Sequence, residues 1–449
     1  MNWTTLKLAC LGCLLLALMV GALLLDLPKA DSADWLVQIN IFVGMLIAGL
    51  ATYLAAVWPV VGQRMSGHAI WVVLGVAVAM RAALLPAPPF LSSDLYRYVW
   101  DGQVQAASIN PYRFVPADPA LAGMRHLTVF PHINRADYAR TIYPPAAQMI
   151  FGLVGYVSQT VIGMKIAMAA FELMAMLCLL RLLSIARLPR ERILIYAWNP
   201  LVLWSFAGDG HVDAAAIGLL AVALLCRAGH RVRLAAAFLA GAALVKFLPA
   251  VVAPALARGS RLWWAGVTGA LVVVVLYAPY LSVGVHVLGF LPTYGVEEGI
   301  DDGGGFWLLA GLSHLTALPR GAVAVYILCV AVGFGLLALR IFRGRATNEA
   351  DNVVMLCRDT AILAAFATVA LSPHYAWYFA WLALPSVVAP LPAVIWLASA
   401  PVVLFIDPFH DRFFWPSVVY LPAAGLALAT LWRRRHLSHA SIAASQGAP

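Results

Sequence analysis

Uninterrupted apolar runs, repeatedly closed by clusters of arginine, restrict this chain to one solvent. Residues 8–25, 36–61, 162–183 and 323–339 approach or exceed the ~20 residues a helix needs to cross hydrocarbon. Only 11% of the residues are charged and the mean hydropathy is +0.88, against roughly 25% charged residues in an ordinary soluble domain. The basic residues recur between the apolar runs, at Arg187, Arg190 and Arg192, at Arg227, Arg231 and Arg233, at Arg258 and Arg261, at Arg340, Arg343 and Arg345, and at Arg433, Arg434 and Arg435. That is the positive-inside pattern, and it accounts for the net charge of +9 without any nucleic acid. The six cysteines lie in or beside apolar runs, so no disulfide framework is implied. No strand alternation or short-period repeat is evident. The expected fold is an all-α polytopic membrane protein with roughly 10 to 13 transmembrane helices, short or broken ones included.

The chain reads as one domain over residues 1–437, followed by a disordered cytoplasmic tail at 438–449. The first run, 8–25, lacks a convincing small-residue cleavage site and is read as a retained span rather than a signal peptide. With the amino terminus cytoplasmic, three spans place the polar, aromatic loop at 86–145 on the far side of the membrane, the periplasm for a bacterial-looking chain. Residues 146–157 are too short for a comfortable crossing and are expected to be interfacial or re-entrant. Charge parity then predicts two short helices meeting at GDGHVD (208–213), and a broken element with Lys246 near its apex. The glycine-rich acidic stretch at 281–305 reads as a mobile outer loop or a plain connector. Ser372 and Pro373 interrupt the run at 362–385, and two last spans are expected at 386–405 and 415–431, around the FIDPFHDRF turn.

Chemistry is expected where polar side chains concentrate in so apolar a chain. In DLYRYVWDGQ, Asp94 and Asp101 are seven residues apart and share one helix face. An outward-facing carboxylate there suits general-base work on an alcohol, and Arg97 with the surrounding aromatics suits a phosphate and a sugar ring. Tyr143, in IYPP, is placed to line a pocket. Asp209, His211 and Asp213 crowd one turn, enough to orient a sugar hydroxyl, while two or three ligands from one turn make a weak metal site. Lys246 calls for an anion, and a phosphate fits better than a carboxylate because its own apolar run holds no acid. His374 and Tyr375 follow the Ser-Pro break, in a segment that also reads as an aromatic belt. No nucleotide-binding loop, dinucleotide fingerprint or HExxH motif is present, and no metal or other cofactor is assigned.

Taken together, DLYRYVWDGQVQAASINPY (94–112), TIYPPAAQ (141–148), YAWNPLVLW (196–204), GHVDA (210–214), LVKFLP (244–249) and LSPHYAWY (371–378) resemble the polytopic glycosyltransferases of the GT-C superfamily. The resemblance is to the polyprenyl-phosphate-mannose-dependent alpha-mannosyltransferases and the glycosyltransferase 87 family, over about residues 70–385. It implies a multi-pass protein of the bacterial inner membrane with its active site facing the periplasm. The implied partners are a polyprenyl-phosphate sugar donor, a glycan or glycolipid acceptor and the bilayer. The resemblance carries the catalytic role onto Asp94, its second acidic position onto Asp101 and its cavity-facing turn onto His211 and Asp213; the residues themselves add Arg97, Tyr143, Asp209, Lys246, His374 and Tyr375 around the substrates. Asp101 is either a second functional carboxylate or a support for Asp94. A transporter or flippase of a lipid-linked sugar is the alternative, against which stand the absence of an inverted repeat and the concentration of polar residues on one face.

Overall fold

The computed structural model describes residues 3–25, 35–62, 67–259, 262–345, 348–407 and 411–446. The linker at 26–34, Arg64, Arg261 and residues 408–410 of the FIDPFHDRF turn lie outside the described residues. The described chain is helical, without a strand. Seven helices are long and apolar enough to cross a membrane, or eight counting the bent pair Pro200–Gly208 and Asp213–Ala228. Shorter apolar helices, such as Pro145–Val157 and Val232–Ala243, fill the spaces between them.

The amino-terminal bundle consists of α1 (Trp3–Leu23), α2 (Trp35–Gly62) and α3 (Ala69–Leu84). Gly12 of α1 lies directly on the Trp198 ring, where a Cβ would collide, and the Trp198 indole donates to the Val73 carbonyl of α3 at 2.8 Å. Small residues at such crossings let helices approach closely in lipid, where no hydrophobic force pushes them together. Arg81 of α3 and Glu172 of α6 (Val161–Ile185) pair at 2.7 Å inside this bundle. Between them in sequence come α4 (Asp94–Ala106) and the short α5 (Pro145–Val157). These two cross at Gly102 and Gly155, each of which faces the other helix's backbone where a Cβ would not fit. The crossing fixes α4 along α5, and so fixes where the amino end of α4 points.

The expected breaks occur, each for a local reason. At GDGHVD the chain turns through 116°, with Gly210 at φ +66 and the His211 amide closing the bend on the Ser205 carbonyl at 2.9 Å. The helix Val232–Ala243 ends just before Lys246, and the chain resumes as a short 3-10 turn at Leu248–Val252. The helix Glu349–Leu371 starts on Asn348, whose side chain accepts from the Asp351 amide at 2.9 Å. It stops at Ser372, which takes a left-handed conformation (φ +49) before Pro373.

Three expectations are revised. Residues 386–405 do not form one span. Pro385, Pro390, Pro392 and Pro401 divide this stretch into the helix Pro392–Leu397 and the 3-10 turn Ala400–Phe405, largely buried by neighbouring elements. Asn199 ties the turn in by donating to the Ala398 carbonyl at 3.0 Å. The acidic stretch is more than a connector, since it contains the helix Leu291–Glu297, which faces the loop at 86–145. The last helix, Phe414–Gln446, continues into the segment assigned by composition to a disordered tail.

Candidate functional site

A cavity of about 900 Å³ opens where α4, the loop after it, the Lys246 break, the helix Leu291–Glu297 and the Ser372 break converge. Four of the motifs singled out in the sequence meet there, although they are spread from residue 94 to residue 378. Asp94, Arg97, Tyr143, Lys246 and Tyr375 line the cavity. Asp101, Asp209, His211, Asp213 and His374 stand behind its wall and act on the residues in it.

Asp94 occupies the first turn of α4, half-buried, where the positive end of the helix dipole favours a carboxylate. The Asn134 amide donates to it at 3.2 Å. Its linker is held from below: the Asp209 carboxylate accepts the Phe90 and Leu91 amides at 2.8 and 3.0 Å. Burial raises the Asp94 carboxyl above the ordinary aspartate range. The Asn134 amide, the Lys246 charge, the Tyr143 hydroxyl and the Arg135 charge pull the other way without cancelling it.

One and two turns further along α4, Arg97 and Asp101 are buried and satisfied by each other. Arg97 Nε meets Asp101 Oδ1 at 2.9 Å, and Gln148 Nε2 reaches Asp101 Oδ2 at 2.8 Å. The network then holds the loop, since Arg97 donates to the Ala139 carbonyl at 3.1 Å and Gln148 to Thr141 Oγ1 at 2.7 Å. Both Asp101 oxygens are therefore taken up within the protein. With its oxygens taken by a guanidinium and an amide, the α4 aspartates do not form a metal-binding pair. No group of three His, Cys, Asp or Glu among the described residues is placed to hold a metal ion.

Lys246 corrects the expectation that it lacks a carboxylate. Its Nζ sits 2.8 Å from both oxygens of Asp213 and 3.7 Å from the centre of the Tyr378 ring. The partner was invisible in the apolar run because it lies 33 positions away, at the GDGHVD break. His211 stacks on Trp377 at 4.4 Å, and its Nδ1 lies 3.4 Å from the Tyr98 hydroxyl. Tyr98 in turn packs on Phe151 and edge-on to Tyr143, so the GHVDA turn holds the aromatic floor in place. His374 Nδ1 lies 3.1 Å from Glu298, and burial, reinforced by the Arg412 charge, pushes the imidazole down to about 3. The pair is a neutral imidazole beside an acid. Tyr375 stacks on Trp377 at 4.7 Å.

Several lining residues have no counterpart among the sequence candidates. Asn134, Arg135, Tyr138 and Arg140 come from NRADYAR, whose density of polar side chains was the available signal. Glu297 pairs with Arg135 at 2.7 Å and accepts from the Tyr138 hydroxyl at 3.0 Å, bridging the mouth. Tyr294 approaches Tyr378 at 3.2 Å between hydroxyls. The wall thus combines aromatic faces, hydrogen-bonding groups and both signs of charge, the surface chemistry that suits a sugar carrying an anionic group.

No curated protein and no solved structure matches this chain. The model of the MptA_B family, described as alpha-(1->6)-mannopyranosyltransferase, N-terminal domain, matches residues 8–260. That stretch carries α4, the loop after it, the GHVDA turn and Lys246, while the wall at 290–297 and 373–378 lies beyond it. With more than half of its length matched, this chain belongs to the MptA_B family of membrane mannosyltransferases.

Proposed function

We propose that this mannosyltransferase takes its sugar from a polyprenyl-phosphate donor and passes it to a hydroxyl of a lipid-linked or envelope glycan. In this reading the cavity faces the periplasm of an inner-membrane protein, and Asp94 is the catalytic base. One observation carries the assignment. Of the two carboxylates lining the cavity, Glu297 is paired with Arg135, whereas Asp94 has no ion-pair partner among the described residues.

The chemistry needs little more. Asp94 accepts the proton of the acceptor hydroxyl as that oxygen bonds to the anomeric carbon. The bond from that carbon to the phosphate oxygen breaks, and the polyprenyl phosphate leaves with the electron pair. Phosphate is a competent leaving group at neutral pH, so no separate acid has to protonate it. The apolar part of the wall, including Phe247, Leu248, Val251 and Leu371, suits the first units of a lipid chain next to the polar mouth.

The test is transfer by purified full-length protein from a radiolabelled polyprenyl-phosphate mannose, compared with a nucleotide-linked mannose. Turnover with the lipid donor alone is expected, with Asp94→Asn slower by about 10²- to 10⁴-fold, the usual worth of a general base. Full activity in Asp94→Asn would remove the base from the reading. Turnover with the nucleotide donor would replace the donor class.

A further inference from the structure

The four cations that line the cavity are not equivalent. Arg97 is held by Asp101, Arg135 by Glu297 and Lys246 by Asp213, each in an ion pair of 2.9 Å or less. Arg140 has no carboxylate partner among the described residues; its Nε lies 3.3 Å from the Arg113 carbonyl, a marginal hydrogen bond. A cation already neutralised by an acid offers little net attraction to a second anion, whereas an unneutralised guanidinium offers a planar fork matched to phosphate oxygens.

The backbone on either side of Arg140 is held by side chains from α4 and α5. Arg97 holds the Ala139 carbonyl and Gln148 holds the Thr141 hydroxyl, both organised by the buried Asp101. Gly289 (φ +57) lies against the Thr141 carbonyl from the opposite side, so closely that a Cβ there would clash. Ala139 and Thr141 are buried while Arg140 between them stays partly exposed to the cavity. Network and glycine together fix the residues on either side of one uncompensated guanidinium.

We infer that Arg140 binds the phosphate of the donor, and that Asp101, Arg97, Gln148 and Thr141 are positioning residues that act through it. This rests on the lipid-phosphate reading of the donor and deepens it: the group that reads the phosphate lies in the loop after α4 and is not Lys246, whose charge Asp213 already takes. It also gives the α4 network a purpose beyond stability, since the same helix presents the base at Asp94 and fixes the anion site through Asp101.

The experiment uses a matched pair of short probes, farnesyl phosphate and farnesol, titrated onto full-length protein in detergent and followed by tryptophan fluorescence. Mannose transfer is measured on the same samples. The wild type is expected to prefer the phosphate. Arg140→Gln should weaken farnesyl phosphate binding by about 10- to 100-fold, the worth of a charge-assisted hydrogen bond, and leave farnesol unchanged. Arg140→Lys should recover part of the loss. Thr141→Val, which removes the hydroxyl anchor without changing charge, should raise the donor KM several-fold with kcat nearly kept, and should add nothing in the Arg140→Gln background. A purely structural role for Thr141 would instead give the same loss with or without Arg140 and would overturn the positioning claim. An Arg140→Gln protein that keeps the phosphate preference would overturn the assignment of Arg140 even while transfer from the lipid donor stands. A wild type that shows no phosphate preference and transfers no mannose from the lipid donor would instead take down the donor reading, and this inference with it.

Discussion

Two aspartates on one face of α4, two turns apart, are treated in opposite ways. At the amino end, Asp94 is half-buried, faces the cavity and accepts from an amide, with Lys246 and Arg135 near enough to act on it by charge but neither paired with it. Two turns on, Asp101 is 1% exposed and saturated by a guanidinium and an amide. Burial without a partner raises the Asp94 carboxyl, and the neighbouring charges do not offset this. One carboxylate is thus held where its charge is costly and open to the cavity, and the other where its charge is satisfied by partners. Within one helix face, reactivity follows from what remains uncompensated rather than from residue type.

The sharpest way to break this contrast is to neutralise each aspartate in turn and follow stability. Asp101→Asn leaves Arg97 buried without its acid, and loss of one partner from a buried pair costs about 3–5 kcal/mol. A marked fall in thermal midpoint is expected. Asp94→Asn should behave in the opposite way. A carboxyl whose folded pKa is raised favours the folded state below its unfolded pKa, and that contribution is lost as pH rises through the folded pKa. At neutral pH the wild-type aspartate is therefore a burden, and the amide should leave the midpoint unchanged or higher. Equal destabilisation by the two variants would dissolve the distinction between base and support.

A smaller effect, of about tenfold per pH unit, belongs to Asp94 alone. A base must be ionised to accept the acceptor's proton, so transfer should fall as pH drops through the carboxyl's raised pKa. That acid limb should lie above the ordinary aspartate value of about 3.9. Asn134→Ala removes one of the contacts that hold the value down and should move the limb further up. A limb at the ordinary aspartate position, unmoved by Asn134→Ala, would show that the group limiting the rate is not this one.

How much of this could be read from the sequence differs between backbone and partners. The helix breaks at GDGHVD, at Lys246 and at Ser372 were legible because glycine, proline and charge parity act locally, within a few residues of the bend they cause. The spread of prolines from Pro385 to Pro401 was local too, but the length of the apolar run outweighed it and suggested a full span. Asp94 and Asp101 were legible as one face, and only the tertiary structure tells them apart, through Arg97 turning inward and Gln148 arriving from α5. The acid of Lys246 and the convergence of Arg135 with Glu297 join residues 33 and 162 positions apart, for which no local pattern exists. Arg140 lay in a stretch visibly rich in polar groups. What marks it out is the pairing of every other cation around it, a property of the assembled cavity.

The smallest expected effect tests whether the mouth is held as firmly as α4 is. Arg135 and Glu297 join the loop after α4 to the helix Leu291–Glu297, with both side chains 29% exposed. Solvent screens such a pair, so Glu297→Gln should cost no more than about 1 kcal/mol of stability, against several for Asp101→Asn. Arg135 adopts a left-handed backbone (φ +55) that an arginine does not favour, so the contact holds a strained residue as well as closing a gap. The amide oxygen of the variant still accepts from the Tyr138 hydroxyl, leaving charge as the main quantity changed. The measurement is a double-mutant cycle of Arg135→Gln with Glu297→Gln, run at low and high salt on both stability and donor KM. A coupling below about 1 kcal/mol that shrinks as salt rises would place the mouth among screened surface contacts. A salt-independent coupling of several kcal/mol would make it a second buried support, and the contrast drawn along α4 would then extend across the cavity.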